Sequence, residues 1–221
     1  MAEKLSADPL APPERVSKRH WPGEVLTPLI VAVVLALFVR TFVLQVFEIP
    51  SPSMEKGLQV GDQVLVNKFI YGPRVWTWEA ALLPMRPPQR GDVVVFKLPT
   101  DPARIFIKRC VGLPGDKVEI ESKRLEVNGE APDETTYVSH TDPRIYPRAL
   151  FLDDAYRKRD NFGPFFVPQA HYFFLGDNRD ESNDSRFWGP VPRSYLKGRP
   201  VLILWSKNRR GIGLRSLRPV R

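Results

Sequence analysis

Ile49-Pro50-Ser51-Pro52-Ser53-Met54 closes a long apolar stretch, and Leu58, Gly61-Asp62 and the strand-like run Val64-Leu65-Val66 come directly after it. Proline fixes φ and biases the residue before it to extended conformations. Ile49 and Ser51 are therefore expected to be extended, with the two hydroxyls on a stiff, non-helical backbone. Any helix upstream must end before this point, and the chain beyond it reads as β. A stiff backbone suits a nucleophile, which has to be held near its attack geometry. It suits equally a Pro-Ser linker between a membrane anchor and a domain. These six residues alone leave both readings open.

Upstream, Val25 to Phe47 is mostly Leu, Val, Ile, Ala and Phe, interrupted by Thr27, Pro28, Arg40, Thr41 and Gln45. As a helix rising about 1.5 Å per residue it reaches roughly 34 Å, enough to cross a bilayer. Pro28 falls near the start, where a helix tolerates it, and Arg40 can snorkel to the far interface. Cleavage as a secretory signal would need small residues after the apolar run, and Gln45, Val46, Phe47 and Glu48 stand there instead. A buried core helix is the alternative to an uncleaved anchor over 25–47. Arg15, Lys18 and Arg19 place a leader, 1–24, in the cytoplasm by the positive-inside rule.

Downstream, 23 prolines in 221 residues argue for a turn-rich, mainly β domain and against a helical bundle. Strands are expected over 63–69, 93–97, 104–111, 172–175 and 201–205. A hairpin is expected over Lys117 to Glu130, where Asn128-Gly129 supplies the turn signal. Between them lie a loop from Ile70 to Arg90, an irregular stretch from 131 to 169, and a polar loop from Gly176 to Pro192. Trp76 and Trp78 in the first loop suit either insertion at a membrane interface or folding over the core. The lone Cys110 sits in an apolar run and reads as a core thiol. Net charge is +8, and six of the basic residues lie from Lys207 onward without an acid. That tail suits anionic lipid or solvent; the apolar segment disfavours nucleic acid.

Chemistry narrows by elimination. There is no Gly-x-Ser-x-Gly elbow, and His20, His140 and His171 are scattered. One cysteine and three such histidines give no zinc spacing. Asp177, Asp180, Glu181 and Asp184 cluster, but Arg179 and Arg186 lie among them and the calcium-loop pattern is unmet. No metal or cofactor is expected. A serine can instead be activated by a lysine. The lysine must then be desolvated so that its pKa falls from about 10.4 toward neutrality. Lys108 fits, standing between Ile107 and Arg109 with Phe106 and Cys110 on its own face by strand alternation. The competing reading is a solvent-facing lysine on an edge strand.

Four stretches, in order, resemble the sequence boxes of bacterial type I signal peptidases: Ile49–Met54, Gly91–Phe96, Ile107–Asp116 and Gly176–Arg186. The resemblance covers roughly Leu29 to Trp205. It implies an N-terminal transmembrane helix followed by an antiparallel β-sheet catalytic core, 48–120 and 170–206. A smaller, irregular domain, 121–169, would be inserted in that core; the basic tail, 207–221, lies beyond the resemblance. It implies Ser53 as nucleophile and Lys108 as general base. Ser51 and the Ser53 backbone N–H would form the oxyanion hole, and Ser182 would orient the lysine. Asp184 and Arg186 would form a supporting salt bridge, with Asp177 and Arg109 also supporting the site. Phe47, Ile49, Met54, Leu58 and Ile107 fall where the family lines its substrate pockets. The implied activity is removal of N-terminal signal peptides from exported preproteins at the lipid bilayer of a bacterial cell. Pro52, where many members have glycine, and Lys56-Gly57, in place of a frequent Pro-Thr, depart from the family pattern. Two other readings compete: a self-cleaving repressor-type Ser/Lys protease and a non-catalytic membrane-tethered binding module. The distance from Ser53 Oγ to Lys108 Nζ separates enzyme from module.

Overall fold

The computed structural model describes residues 22–38, 43–71, 85–149, 153–208, 211–212 and 216–220. The chain forms two compact units, Met1–Phe38 and Val39–Arg221. In the first, α1 runs from Pro22 to Phe38 with Pro28 inside it, and its large apolar side chains from Leu26 onward are exposed. Among the described residues no helix is long and apolar enough to cross a membrane. The stretch expected as one anchor over 25–47 is in fact two elements, because Leu44–Glu48 is a strand, β1. The cause is pairing. β1 lies antiparallel to β2 (Asp62–Asn67), with Leu44 opposite Asn67 and Glu48 opposite Gln63. The leader before Pro22, the tryptophan loop with Trp76 and Trp78, and residues 209–210, 213–215 and 221 of the basic tail lie outside the described residues.

The second unit is mainly β and antiparallel. Its remaining strands are β3 (Val93–Leu98), β4 (Asp101–Gly112), β5 (Lys117–Glu121), β6 (Arg124–Val127), β7 (Phe162–Phe166), β8 (His171–Leu175), β9 (Val191–Pro192), β10 (Leu196–Asn208), β11 (Gly211–Ile212) and β12 (Arg218–Pro219). The main sheet is ordered β1-β2-β10-β3-β4-β8-β9, with β11 and β12 hung on β10. Two short helices, α2 (Asp154–Asp160) and α3 (Ser185–Trp188), complete the unit. β3 explains how the sheet is buried on both faces. Val93 and Val95 enter a core with Ile49, Met54, Leu58, Val64 and Val66. Val94 and Phe96 enter a second with Cys110, Tyr172 and Phe174, as period-two alternation requires. The Cys110 thiol is fully buried.

A small sheet, ordered β6-β5-β7, carries the inserted segment. It starts at Lys117 rather than at 121, because Val118 and Ile120 pair with Val127 and Leu125. It has no core of its own: these four side chains pack with Val111, Phe173 and Leu175 of the main sheet. The hairpin turn is Ser122-Lys123, both at positive φ (48° and 71°), the geometry of a tight two-residue loop. Asn128-Gly129 makes the next turn instead, closing hydrogen bonds of 2.8 and 3.1 Å between Val127 and Glu130.

Candidate active site

Ser53 lies in a single 3-10 turn, Pro52–Met54, entered from an extended Ser51 (φ −137°, ψ 154°). Proline at the first helical position fits its fixed φ and missing N–H. Met54 is buried in the core beside Ile49 and Leu58, so the turn is pinned from below while Ser53 faces across to β4. Lys108 stands opposite Val94 in the sheet and is 4 % exposed, and Ser53 is 6 % exposed. The two side chains meet in a Lys108 Nζ–Ser53 Oγ hydrogen bond. Ser51 Oγ lies 3.1 Å from Ser53 Oγ.

Burial pushes the Lys108 amine down from 10.5 to about 8; Asp184 and Asp177 pull it up and Arg186 pushes it down again. Neither acid is spare. Asp177 receives Arg109 Nε and Nη2, both at 2.7 Å. Asp184 receives Arg186 Nε and Nη2, both at 2.8 Å, as well as the Gly176 N–H at 3.1 Å. Such bidentate, charge-assisted pairs are the strong ones. Burial raises the Asp184 pKa, but Arg186 outweighs it and holds the carboxyl below its ordinary range. No carboxylate pairs with Lys108 among the described residues. Its nearest π face is the Phe106 ring, 5.6 Å from Nζ to the centroid.

The cleft above this pair holds about 580 Å³ and is lined by Phe47, Ile49, Ser51, Ser53, Met54 and Ile107 among others. Leu58, grouped with these by sequence, does not line it. It is 0 % exposed and spent on the core beneath the serine turn. Ser182 is buried, and its hydroxyl makes no hydrogen bond of normal geometry, to Lys108 or otherwise, although it helps to hold the Asp184 carboxyl down. Four participants were invisible in the sequence. Asn178 N–H donates to Ser53 O at 3.1 Å, and Ser139 N–H donates to Asp177 O at 2.9 Å. The Arg109 guanidinium lies 4.0 Å from the Tyr137 ring centroid, and Lys56 Nζ bonds two carbonyls of the insertion. Residues 134–139 have no periodicity to announce this.

A family model described as signal peptidase, peptidase S26, matches residues 23–205. The chain belongs to the S26 signal peptidase family. Among its curated relatives, a signal peptidase I of Pseudomonas fluorescens is 42 % identical over 176 residues, covering 73 % of this chain and 62 % of that protein. A signal peptidase I of Pseudomonas aeruginosa is also 42 % identical, with the same coverage. A probable signal peptidase I-2 of a Synechocystis strain is 36 % identical over 218 residues, covering 96 % of this chain and 86 % of that protein. The chain thus spans 62 % of the length of the Pseudomonas relatives. As an S26 member it carries its own variant of the serine turn: Lys56 adopts φ 93°, a conformation closed to proline.

Proposed function

We propose that this chain is a membrane-anchored serine endopeptidase that removes signal peptides from exported preproteins. One observation carries the reading: Ser53 is hydrogen-bonded to a buried lysine that no carboxylate pairs among the described residues. Neutral Lys108 takes the proton from Ser53 Oγ as the oxygen attacks the scissile carbonyl. The developing oxyanion is held by the Ser53 N–H and the Ser51 hydroxyl, and one such donor is typically worth about 3 kcal/mol. Protonated Lys108 gives its proton to the departing amine, and water then hydrolyses the acyl-enzyme. Asp177–Arg109 and Asp184–Arg186 brace the loop from Gly176 to Arg186 around the lysine.

The substrate strand lies in the cleft beside β4, whose stretch from Asp101 to Lys108 pairs, among the described residues, with β3 and no second strand. Edge pairing supplies affinity and alternate side chains supply selectivity. Phe47, Ile49, Met54 and Ile107 leave shallow apolar room, which favours small residues next to the cut. The apolar segment before β1 anchors the chain with its N-terminus in the cytoplasm and its catalytic unit on the outer face of the cell membrane.

The test is cleavage of a purified preprotein by the full chain, with the new N-terminus sequenced. Ser53→Ala and Lys108→Ala are each expected to abolish turnover while remaining folded by circular dichroism. Retained turnover in either variant would overturn the dyad.

A further inference from the structure

The serine turn is tied down on its far side as well as at its nucleophile. Lys56, three residues after Ser53, has φ 93°, a region that L side chains rarely adopt. Its ammonium is engaged on the surface: Nζ donates to Thr135 O at 2.7 Å and to Val138 O at 2.9 Å. Those carbonyls belong to the inserted segment, which is itself fixed to the polar loop beneath the site. Ser139 N–H donates to Asp177 O at 2.9 Å, and Arg179 N–H donates to Ser139 O at 3.0 Å. Arg179 pairs with Glu134, and Tyr137 lies under Arg109. Gly57 completes the fit. A Cβ there would stand 2.8 Å from Asp177 Oδ2, so the turn rests directly on the Arg109–Asp177 pair. Arg109 is the residue after Lys108 in β4.

From this juxtaposition we infer that Lys56 is a positioning residue for the reaction. It locks the turn bearing Ser53 onto the segment Thr135–Ser139, and that segment's hold on Asp177 and Arg109 sets the serine hydroxyl against the neighbouring Lys108. The inference rests on the Ser53–Lys108 reading above. It assigns the inserted segment a task at the site: it is the splint between nucleophile and base. Small displacements of a nucleophile cost rate out of proportion to stability, so the effect belongs in kcat.

Three variants of the full chain in detergent micelles test it, assayed on a peptide spanning a signal-peptide cleavage site, with Ser53→Ala as the blank. Lys56→Gly removes the donor and relaxes the left-handed strain. Lys56→Met removes the donor and keeps the strain, and Lys56→Arg keeps donors. Lys56→Gly and Lys56→Met are expected to lose about tenfold in kcat with KM within about twofold. Lys56→Arg should retain most of the rate, and Lys56→Gly should melt within about 3 °C of the parent. Parental kcat in Lys56→Gly, an effect wholly in KM, or a loss that arginine does not restore overturns the inference. So does a rate loss in the glycine and methionine variants that only tracks a fallen melting point. A parent no faster than the Ser53→Ala blank defeats the serine reading itself; a parent above the blank with an unaffected Lys56→Gly defeats the splint alone.

Discussion

In the unfolded chain the Lys108 amine releases its proton near 10.5, and in the folded chain at about 8. Below pH 8 both states hold the proton, and the folded state bears the whole burial cost, about 3 kcal/mol at 1.36 kcal/mol per pH unit. Between pH 8 and 10.5 the unfolded chain holds a proton the folded chain has shed, so stability rises with pH across that window. Lys108→Met should therefore be more stable than the parent at pH 7, by up to about 3 kcal/mol in urea titrations. The variant's stability should also lose the rise above pH 8. A less stable Met variant would mean that the amine contributes more than it costs. Ser53 and Lys108 stood out in the sequence only through the four ordered boxes that resemble those of type I signal peptidases; the serine motif alone also fits a linker, and the lysine alone a solvent-facing edge strand. Lys56 did not stand out, because its partners Thr135 and Val138 lie 79 and 82 residues away. Leu58 came with the resemblance as a pocket residue, whereas its side chain packs in the core beneath the serine turn.

Among the elements, β4 joins chemistry to scaffold. Among the described residues its first part has one neighbour, β3, and from Arg109 onward it also pairs with β8. Lys108 is the last residue before that second partner arrives, so it opens on the cleft while its strand is held from behind. Gly112 ends β4 against the small sheet and its neighbours: a Cβ would stand 2.8 Å from Val118 Cγ2, 3.0 Å from Phe173 Cβ and 3.1 Å from Val167 Cγ2. Gly112→Ala is expected to cost about 1–3 kcal/mol by overpacking, read as a lowered midpoint in denaturant. Gly91, at φ +88° with nothing within 4 Å, is the control. Gly91→Ala should cost only the left-handed penalty, about 1–2 kcal/mol. If Gly112→Ala is neutral, the small sheet does not bear on β4 in this way. Short apolar runs, Val93–Phe96, Ile105–Ile107 and Tyr172–Leu175, made β3, β4 and β8 readable. Ser122-Lys123 escaped notice because neither residue is a usual positive-φ former, while Asn128-Gly129 drew the turn away from it. β1 was absorbed into the expected anchor because Leu44, Val46 and Phe47 are as apolar as a membrane span. Only pairing with β2 distinguishes them.

Across the whole molecule, the second unit reads as a device for keeping water off one amine. Lys108 is buried, the acids that bear on it, Asp177 and Asp184, are held by Arg109 and Arg186, and among the described residues no carboxylate forms an ion pair with it. The mainly β class and the order of the boxes could be read in advance. The shared core could not, since residues 131–169 carry no pattern that points to Phe173 or Asp177. The charge state of that amine is set by its burial and by those pairs, and it can be followed directly. Selective labelling of lysine Cε and a carbon-detected NMR titration of the resting protein, with Lys108→Met to identify the resonance, should give a midpoint near 8. A midpoint at the ordinary lysine value, about 10.4, would contradict the account.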